Sequence, residues 1–343
     1  MKPRVFLTGA SGFIGGYVLR EFVGNGWEVH ALTHRTVSSE LKRLGEAGEV
    51  VLHQGDATSL ESLQAIFGQC GPQPFAAVVH CAGRASDVGR REAFRRTNFE
   101  AMQHLGKLTL DTGAGRLVFV SSTDVYGMRD FGGEAEDDLP FEERPANPYP
   151  EYKIAAERWL AAELPLDRYA VVRPAAVWGK GDLTITKRVV DFLRVSPWIV
   201  HFGKWRGANR WPLAHVRNVA AAIYLLASET GWAGRAVNVL DSERTSIEDF
   251  YRMVAGTFFP DKRFKSVTIP CLVAAPIAHL ITAISTLLGI AQPFADPSHY
   301  ALLSVSNNLD FSNRRFLQLM DSAGRKPVTL QEGLAELTPT VSE

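Results

Sequence analysis

Short apolar runs alternate with longer amphipathic segments through the first half of the 343-residue chain. The runs are typical of buried strands, and the segments between them have the spacing of helices, so the pattern predicts βαβ units. The predicted strands cover 5–8, 28–33, 50–53, 76–80, 117–121 and 169–173, and the predicted helices lie near 13–24, 38–47, 59–68, 91–112 and 150–163. Right-handed crossovers then give an α/β fold: a doubly wound parallel sheet with helices on both faces and ligands at the carboxyl ends of its strands.

This alternation loosens after Arg173, where segments rich in Trp, Pro and Gly begin. A helix near 216–228, a strand at 236–240 and a helix that begins after Ser246 are still predicted. We expect the second half of the chain to supply a lid over the sheet.

Residues 268–294 contain no Asp, Glu, Lys or Arg, which raises the question of a membrane span. Pro270 and Pro276 interrupt the stretch, which speaks against a span. An apolar stripe at helical spacing predicts instead a helix packed on a core; its residues are Ile277, Leu280, Ile281, Ile284, Leu287 and Leu288. The alternative is an interfacial helix that touches a membrane or admits lipid through about 270–290.

Charge and cysteine content exclude several classes of protein. Lys and Arg number 37 and Asp and Glu 37, so nothing indicates the phosphate neutralisation on which nucleic-acid binding depends. Cys70, Cys81 and Cys271 lack C-x-x-C spacing and are an odd number, so we expect reduced thiols and no metal site. Because a strand begins near residue 3, no room is left for a secretory signal, and we expect a cytoplasmic protein.

Three glycines, Gly9, Gly12 and Gly15, follow the first strand and open the first helix, the context of a dinucleotide-binding turn. The first allows a tight turn, the second lets backbone approach the pyrophosphate, and the third lets the helix pack closely on the sheet. The helix amino terminus then attracts the phosphates.

The end of the second strand, Thr33-His34-Arg35, carries no carboxylate to bind the ribose hydroxyls of NAD. Arg35 is able to pair with a 2′-phosphate, so NADP(H) is favoured over NAD(H). Asp56, just after the third strand, is a candidate acceptor for the adenine amino group, and a turn or helix-cap role is its alternative.

Tyr149 and Lys153 are one helical turn apart and follow Ser122, which lies just past the fifth strand. A nearby ammonium favours phenolate, so Tyr149 would exchange a proton with a substrate oxygen that Ser122 holds by a hydrogen bond. Ser121 and Thr123 are close alternatives for the hydroxyl donor.

These motifs make the chain resemble the extended short-chain dehydrogenase/reductase family, also called the NAD-dependent epimerase/dehydratase group. The matching segments are T-G-A-S-G-F-I-G at 8–15, G-D at 55–56, V-V-H-C-A-G at 78–83, T-N at 97–98, S-S-T-D-V-Y-G at 121–127, Tyr149 with Lys153, and R-P-A-A-V-W-G at 173–179. The resemblance implies Ser122, Tyr149 and Lys153 as a catalytic triad.

The resemblance also implies a Rossmann domain and a smaller, discontinuous substrate-binding lobe. We expect residues 1–175 with returning segments at about 208–240 in the former, and about 176–207 and 241–335 in the latter. It implies a homodimer paired through two helices, one of them bearing the Tyr/Lys motif. Together with the residues above, the implied cofactor contacts are Gly9, Ser11, Gly12, Phe13, Ile14, Gly15, Arg35, Asp56, Ala57, Cys81, Ala82, Gly83, Asn98, Tyr149, Lys153, Pro174, Ala176 and Val177.

Departures from the family narrow the choice of substrate. Ala176 stands where sugar-nucleotide members usually have asparagine, and Thr123 precedes Asp124 where sugar dehydratases carry an acidic pair. The R-P-x-x-V-W-G form, H-V-R-N-V-A at 215–220 and the apolar region resemble the 3β-hydroxysteroid dehydrogenase and dihydroflavonol reductase branch, although Arg217 replaces its usual acidic residue. His215 is expected to be structural.

The favoured hypothesis is an NADP(H)-dependent ketone reductase or secondary-alcohol dehydrogenase acting on a hydrophobic substrate that is steroid-, lipid- or polyketide-like. A nucleotide-sugar epimerase or reductase with the same triad is the alternative. A regulator that senses NADP(H) without turnover is the third hypothesis, which retention of Ser122, Tyr149 and Lys153 disfavours.

Overall fold

The protein's structure, a computed structural model, describes residues 2–35, 37–290 and 297–337. Its strands are β1 (Arg4–Thr8), β2 (Glu28–Thr33), β3 (Val50–Gln54), β4 (Ala77–His80), β5 (Arg116–Val120), β6 (Tyr169–Pro174), β7 (Ala176–Trp178), β8 (Trp198–Phe202), β9 (Leu213–His215), β10 (Ala236–Val239) and β11 (Lys265–Ile269). Its α-helices are α1 (Phe13–Gly24), α2 (Ser39–Glu46), α3 (Leu60–Gln69), α4 (Arg91–Phe94), α5 (Ala101–Asp111), α6 (Pro148–Glu163), α7 (Thr186–Val195), α8 (Val216–Ser228), α9 (Ile247–Phe258), α10 (Cys271–Leu287), α11 (His299–Ser306), α12 (Arg314–Ser322) and α13 (Leu330–Ala335).

Seven strands form one parallel sheet in the order β10-β6-β5-β4-β1-β2-β3. The order reverses between β1 and β4, and this is the switch point where open α/β sheets bind ligands. Helices α1, α8 and α12 bury their apolar sides in the core on one face, and α3, α5 and α6 do so on the other. The prediction of a doubly wound Rossmann sheet is therefore confirmed.

Two helices differ from their predicted bounds in ways that matter for the site. A π-helical segment, Arg95–Glu100, lies between α4 and α5 where one regular helix was expected, and it carries the buried Asn98. Helix α6 begins at Pro148, two residues earlier than predicted, because Asn147 accepts a hydrogen bond from the Tyr149 backbone N–H at 2.8 Å. Prolines are tolerated in a first helical turn, which needs no internal N–H donors.

The second half of the chain builds smaller layers beside the sheet. Strands β7 and β9 form one parallel pair and β8 and β11 another. A separate core joins α7, α9 and α13 through the large side chains Trp178, Trp211 and Phe250. Helix α12 falls within the region assigned to the lobe, and its Phe316, Leu319 and Met320 pack in the core of the main sheet. The domain division stays a prediction.

Helix α10 overturns the expectation that the apolar stripe at 277–288 packs on a core. Ile281 is 7 % exposed, but Leu280 is 60 % and Leu287 86 % exposed, and Ile277, Ile284 and Leu288 are exposed as well. The face that α10 buries is made mostly of small residues, including Ala274, Ala278 and Ser285, which lie at the same helical spacing. Residues 291–294 of the uncharged stretch lie outside the described part of the chain.

Candidate active site

The glycine turn between β1 and α1 has the geometry that its spacing predicts. Gly9 has φ of 78°, and a Cβ there would lie 2.6 Å from the backbone nitrogen of Ala82 at the end of β4. A Cβ on Gly15 would lie 2.0 Å from the carbonyl oxygen of Gly9, so only glycine lets α1 pack this closely. Gly12 is the N-cap of α1 and makes no side-chain cap, which leaves helix N–H groups for an anion.

The end of β2 lies beside this turn. The Ser11 hydroxyl accepts a hydrogen bond from the Ser38 N–H at 3.4 Å, which links the glycine turn to the start of α2. Arg35 is exposed just after β2. Asp56 uses one carboxylate oxygen as a local cap, accepting from the Thr58 N–H at 2.8 Å and from its hydroxyl at 2.9 Å. A contact from Asp56 to adenine stays a prediction.

The end of β4 forms the opposite side of the groove. Cys81, Ala82 and Gly83 follow the strand, and burial raises the pKa of the Cys81 thiol to about 12. Asn98 is buried and holds the backbone of Arg84, accepting from its N–H at 2.7 Å and donating to its carbonyl at 3.0 Å. Both ends of its amide are thus used to shape the loop after β4, and a direct contact from Asn98 to cofactor stays a prediction.

Lys153 projects from α6 to the carboxyl ends of β4 and β5. Its ammonium donates to the Val120 carbonyl at 2.6 Å and lies 4.6 Å from the centre of the Phe119 ring. A Cβ added to Gly83 would lie 3.4 Å from the Lys153 nitrogen, so the ammonium faces the groove between β4 and β5. Burial lowers the pKa of Lys153 to about 8, an effect that Cys81 and Glu157 oppose.

Tyr149 lies half-buried one turn before Lys153, with Ser122 and Asp124 beside it. Burial raises the pKa of the phenol well above its usual value, the charge of Asp124 raises it further, and a hydrogen bond with Ser122 lowers it. The Lys153 ammonium is 5.9 Å from the centre of the Tyr149 ring. The sequence argument that this ammonium acidifies the phenol is therefore not met in this arrangement, because the ammonium binds the Val120 carbonyl.

The structure separates the two serines that follow β5. Ser121 donates its hydroxyl hydrogen bond to Glu157 of α6, and Glu157 also pairs with Arg173 at 2.6 Å. Arg173 in turn donates to the Tyr126 hydroxyl at 2.6 Å. Ser121 thus belongs to a buried polar network beneath the site, and Ser122 is the hydroxyl beside Tyr149. Sequence analysis did not find this network, since its members are far apart in the chain.

Pro174 ends β6, and Ala176 and Val177 begin β7 after one intervening residue. Trp178, the last residue of β7, is fully buried and donates its ring N–H to Asp241 at 2.6 Å. Asp241 also accepts from the His215 backbone N–H at 2.7 Å. His215 is fully buried against Trp178, with ring centres 4.9 Å apart. Arg217, which replaces the acidic residue usual in the family branch, pairs with Glu336 at 2.6 Å.

Residues from the second half of the chain lie over the catalytic candidates, and no sequence motif marks these residues. Tyr300 of α11 donates its hydroxyl hydrogen bond to the Asp124 carboxylate. Ser298 donates to Asp87 at 2.8 Å, and Arg188 of α7 pairs with the same carboxylate at 3.3 Å. The catalytic candidates therefore lie at a junction between the sheet and α11.

A cavity beside Asp124 and Tyr300 is the candidate substrate site. Its walls mix charged groups with apolar surface: Gly127, Met128, Glu142, Arg144, Pro145, Ala146, Pro150 and Leu303 complete the lining. Carboxylates and a guanidinium in the wall give the cavity polar anchors, and Met128, Leu303 and the prolines give it apolar contact.

The described residues fit a nicotinamide dinucleotide. Side chains are sterically excluded at Gly9 and Gly15, the uncapped amino terminus of α1 faces the turn, and the Lys153 ammonium lies at the end of the same groove. These features are of the kind that suit a pyrophosphate at one end and ribose hydroxyls at the other.

Comparisons with known proteins agree with this geometry. The family model described as "NAD dependent epimerase/dehydratase family" matches residues 5–239. A ketoreductase of Stigmatella aurantiaca, named for 4-hydroxy-2-methyl-3-oxo-4-farnesyl-3,4-dihydroquinoline-1-oxide, is 26% identical over 338 residues, which cover 97% of this chain and 95% of that protein. The 3 beta-hydroxysteroid dehydrogenase/Delta 5-->4-isomerase of Mycobacterium tuberculosis is 24% identical, covering 98% of this chain and 90% of that protein.

Solved structures share the fold. The UDP-glucose 4-epimerase of Thermotoga maritima, crystallised with UDP-glucose, superposes with a TM-score of 0.71 at 21% identity and covers 98% of this chain and 97% of its own. A dTDP-glucose 4,6-dehydratase of Bacillus anthracis in complex with NAD gives a TM-score of 0.71 at 16% identity, with coverage of 98% and 95%.

Proposed function

The chain belongs to the NAD dependent epimerase/dehydratase family and is an oxidoreductase of it, and we propose that it interconverts a ketone and a secondary alcohol on a hydrophobic substrate with NADP(H). The observation that carries the proposal is the grouping of Ser122, Tyr149 and Lys153 at the carboxyl end of β5, next to the cavity lined by Asp124 and Tyr300.

The chain's own residues manage the proton in this reaction. Hydride exchange is the chemistry that the nicotinamide supplies when bound. Ser122 donates a hydrogen bond to the substrate oxygen and holds it beside the Tyr149 hydroxyl. Because burial and Asp124 raise the pKa of Tyr149, the phenol carries its proton at neutral pH and can give it to an alkoxide as a ketone is reduced. Lys153 holds the ribose hydroxyls with its ammonium.

A paired substitution tests this assignment. Purified protein should change the nicotinamide absorbance at 340 nm with a hydrophobic ketone or alcohol, and Tyr149→Phe should abolish the change while coenzyme binding persists. Tyr152→Phe is the matched control, since Tyr152 is half-buried on the same helix three residues away. Full turnover in Tyr149→Phe would overturn the assignment, and bound coenzyme without turnover across a broad panel would favour the sensing regulator.

The preference for NADP(H) rests on the end of β2. His34 and Arg35 stand there without a carboxylate, and Arg35 is exposed and able to meet a 2′-phosphate. We expect tighter binding of NADPH than of NADH by fluorescence titration, and Arg35→Ser should reduce the difference. Equal affinities in the native protein would remove the preference.

A hydrophobic substrate is supported by Met128, Leu303 and the two prolines in the cavity wall, and by the substrates for which the ketoreductase and hydroxysteroid dehydrogenase relatives are named. A nucleotide sugar is the second candidate, because Glu142 and Arg144 in the same wall offer polar anchors. Titration with UDP-glucose against a steroid or long-chain ketone distinguishes them: saturable UDP-glucose binding displaced by UDP would favour the sugar.

Contact of α10 with a membrane surface belongs to the same proposal. Among the described residues no helix is both long and apolar enough to cross a bilayer. The exposed Leu272, Leu280 and Leu287 instead form an uncharged outer face of the kind that inserts at an interface. Vesicle sedimentation should show that the native protein binds and that the variant Leu272→Gln/Leu280→Gln/Leu287→Gln does not. The control Leu166→Gln/Val195→Gln should still bind, since Leu166 and Val195 are exposed outside α10. A homodimer and a cytoplasmic location stay predictions.

A further inference from the structure

Three potential metal ligands meet on the sheet face that packs against α3, away from the glycine turn. His30 of β2, His53 of β3 and Cys70 at the end of α3 bring their ligand atoms within 4.8 Å of one another. Their sequence separations are large, so no spacing motif announces them. We propose that His30, His53 and Cys70 form a binding site for a zinc-class divalent metal ion.

The distances between the donor atoms suit a tetrahedral ion. The Cys70 sulfur lies 3.6 Å from His30 Nδ1 and 3.9 Å from His53 Nε2. A tetrahedral zinc site with ordinary bond lengths separates a sulfur and a nitrogen ligand by about 3.6 Å. The two imidazole nitrogens are 2.8 Å apart, and zinc would require them to separate by about half an ångström.

Surrounding residues already orient the ligands. His30 Nε2 lies 2.7 Å from a Glu28 carboxylate oxygen and 3.2 Å from the Arg4 guanidinium. In the tautomer that donates its Nε2 proton to the nearer carboxylate, the Nδ1 lone pair faces the cluster. This carboxylate–histidine pairing is the usual outer support of a metal-bound imidazole. Arg4 holds the loop after α3 by donating to the carbonyls of Cys70 at 2.8 Å and Gln73 at 2.7 Å.

The donor set selects the class of metal. One thiolate with two imidazoles favours zinc or copper over magnesium or calcium, which prefer oxygen ligands. His53 and Cys70 are half-buried, so the fourth position can be filled by a water molecule from solvent. Arg4 and Glu28 contribute opposite charges next to His30, so neither sign dominates around the site.

Cobalt(II) is the probe for this site, because a thiolate ligand gives it a charge-transfer band in the near ultraviolet and tetrahedral geometry gives strong visible bands. The full chain, stripped with a chelator and kept reduced, is titrated with cobalt(II) and then zinc(II). We expect one equivalent to bind with both sets of bands, zinc to displace it, and zinc to raise the thermal midpoint.

Two ligand variants and one matched control decide the outcome. Cys70→Ser and His53→Gln should each weaken binding at least about 10-fold and remove the thiolate band or the tetrahedral bands respectively. Cys271→Ser, which removes another half-buried free thiol, should behave like the native protein. The proposal fails if native protein gives no cobalt bands, if both ligand variants bind as tightly as native, or if Cys271→Ser alone abolishes the thiolate band.

Discussion

At the scale of single residues, Ser121 and Ser122 are neighbours with different partners. Ser121 donates to the buried Glu157, and Ser122 bonds with Tyr149. We expect Ser122→Ala to lower turnover about 100-fold, because it removes a donor to the substrate oxygen, and to cost about 1 kcal/mol of unfolding free energy, because the Ser122 hydroxyl also accepts from the Asp124 N–H at 3.2 Å. Ser121→Ala should cost about 1.5–3 kcal/mol of unfolding free energy, because its hydrogen bond goes to a buried carboxylate, and should have little effect on turnover. Steady-state kinetics and urea unfolding on both variants check this, and equal losses of turnover would contradict it.

Lys153 should give the protein a measurable pH dependence of stability. Burial lowers the pKa of Lys153 to about 8 in the folded state, against about 10.4 in the unfolded chain. Between these values the unfolded chain binds more protons than the folded protein, so the contribution of Lys153 to stability rises with pH and is complete above about 10.4. From pH 7.5 to 9.5 this rise is about 2 kcal/mol.

Substitution with methionine isolates that contribution. Lys153→Met has no group that titrates there, so its unfolding free energy should lack the rise that native protein shows over this pH range. Denaturant unfolding of both proteins at the two pH values provides the comparison. Parallel curves for native protein and variant would show that burial does not disfavour the ammonium.

Sequence reasoning at this scale succeeded where the partners are close in the chain. The turn containing Gly9, Gly12 and Gly15, and the helical spacing of Tyr149 and Lys153, follow from local geometry. The partner of the Lys153 ammonium could not be foreseen, because the Val120 carbonyl reaches it only once β5 and α6 pack together. For the same reason the effect of Asp124 on the pKa of Tyr149 was missed.

At the scale of elements, the approach of α1 to the sheet depends on one glycine and not on its neighbour. A Cβ at Gly15 would lie 2.0 Å from the Gly9 carbonyl oxygen, whereas a Cβ at Gly16 would lie 3.7 Å from the Ala10 oxygen, an ordinary contact. Gly15→Ala should therefore displace α1, cost more than about 2 kcal/mol and weaken coenzyme binding. Gly16→Ala should be neutral or stabilising by up to about 1 kcal/mol, since alanine favours helix.

Unfolding curves and coenzyme titration on the two alanine variants check this contrast. The pair is informative because both positions lie in the first turn of α1 and both gain one methyl group. Similar stabilities for the two variants would mean that α1 does not need close packing on the glycine turn.

The elements also show what periodicity leaves undetermined. The spacing at 277–288 predicted a helix, and α10 is one, but the face it turns to the core is the one with Ala274 and Ala278. A stripe of large apolar residues predicts an amphipathic helix, but it does not show whether the protein core or another surface covers that stripe. Likewise the predicted start of α6 at residue 150 was two residues late, since proline both precedes helices and occupies their first turn.

At the scale of the whole molecule, the two halves of the chain meet over the candidate active site through hydrogen bonds of carboxylates. Asp87 and Asp124 belong to the first half, and their partners Arg188, Ser298 and Tyr300 to the second. No sequence pattern pairs residues so far apart, so the junction could be seen only in the folded molecule. These bonds hold α11 beside the cavity, to whose wall it contributes Tyr300 and Leu303.

The Tyr300–Asp124 hydrogen bond should make that junction depend on pH. Burial raises the pKa of Asp124 above its usual value, and the bond from Tyr300 lowers it. When folding raises the pKa of an acid, the protein becomes less stable as the pH rises from the unfolded pKa of that acid through its folded pKa. Tyr300→Phe removes the hydrogen bond that lowers the pKa of Asp124, so the loss of stability continues to a higher pH in the variant. The variant should cost about 1–3 kcal/mol at pH 8 and less at pH 4, because protonation of Asp124 removes the charge that the Tyr300 hydroxyl stabilises.

Urea unfolding of native protein and Tyr300→Phe at pH 4 and pH 8 measures the difference, with Tyr152→Phe as a control for loss of a phenol hydroxyl outside the junction. If this bond holds α11 against the cavity, Tyr300→Phe should also raise KM more than it lowers kcat. The substrate would bind to a less ordered cavity wall, while Ser122 and Tyr149 stay in place. A stability loss of the same size at both pH values would instead mean that the hydrogen bond from Tyr300 does not depend on the charge of Asp124.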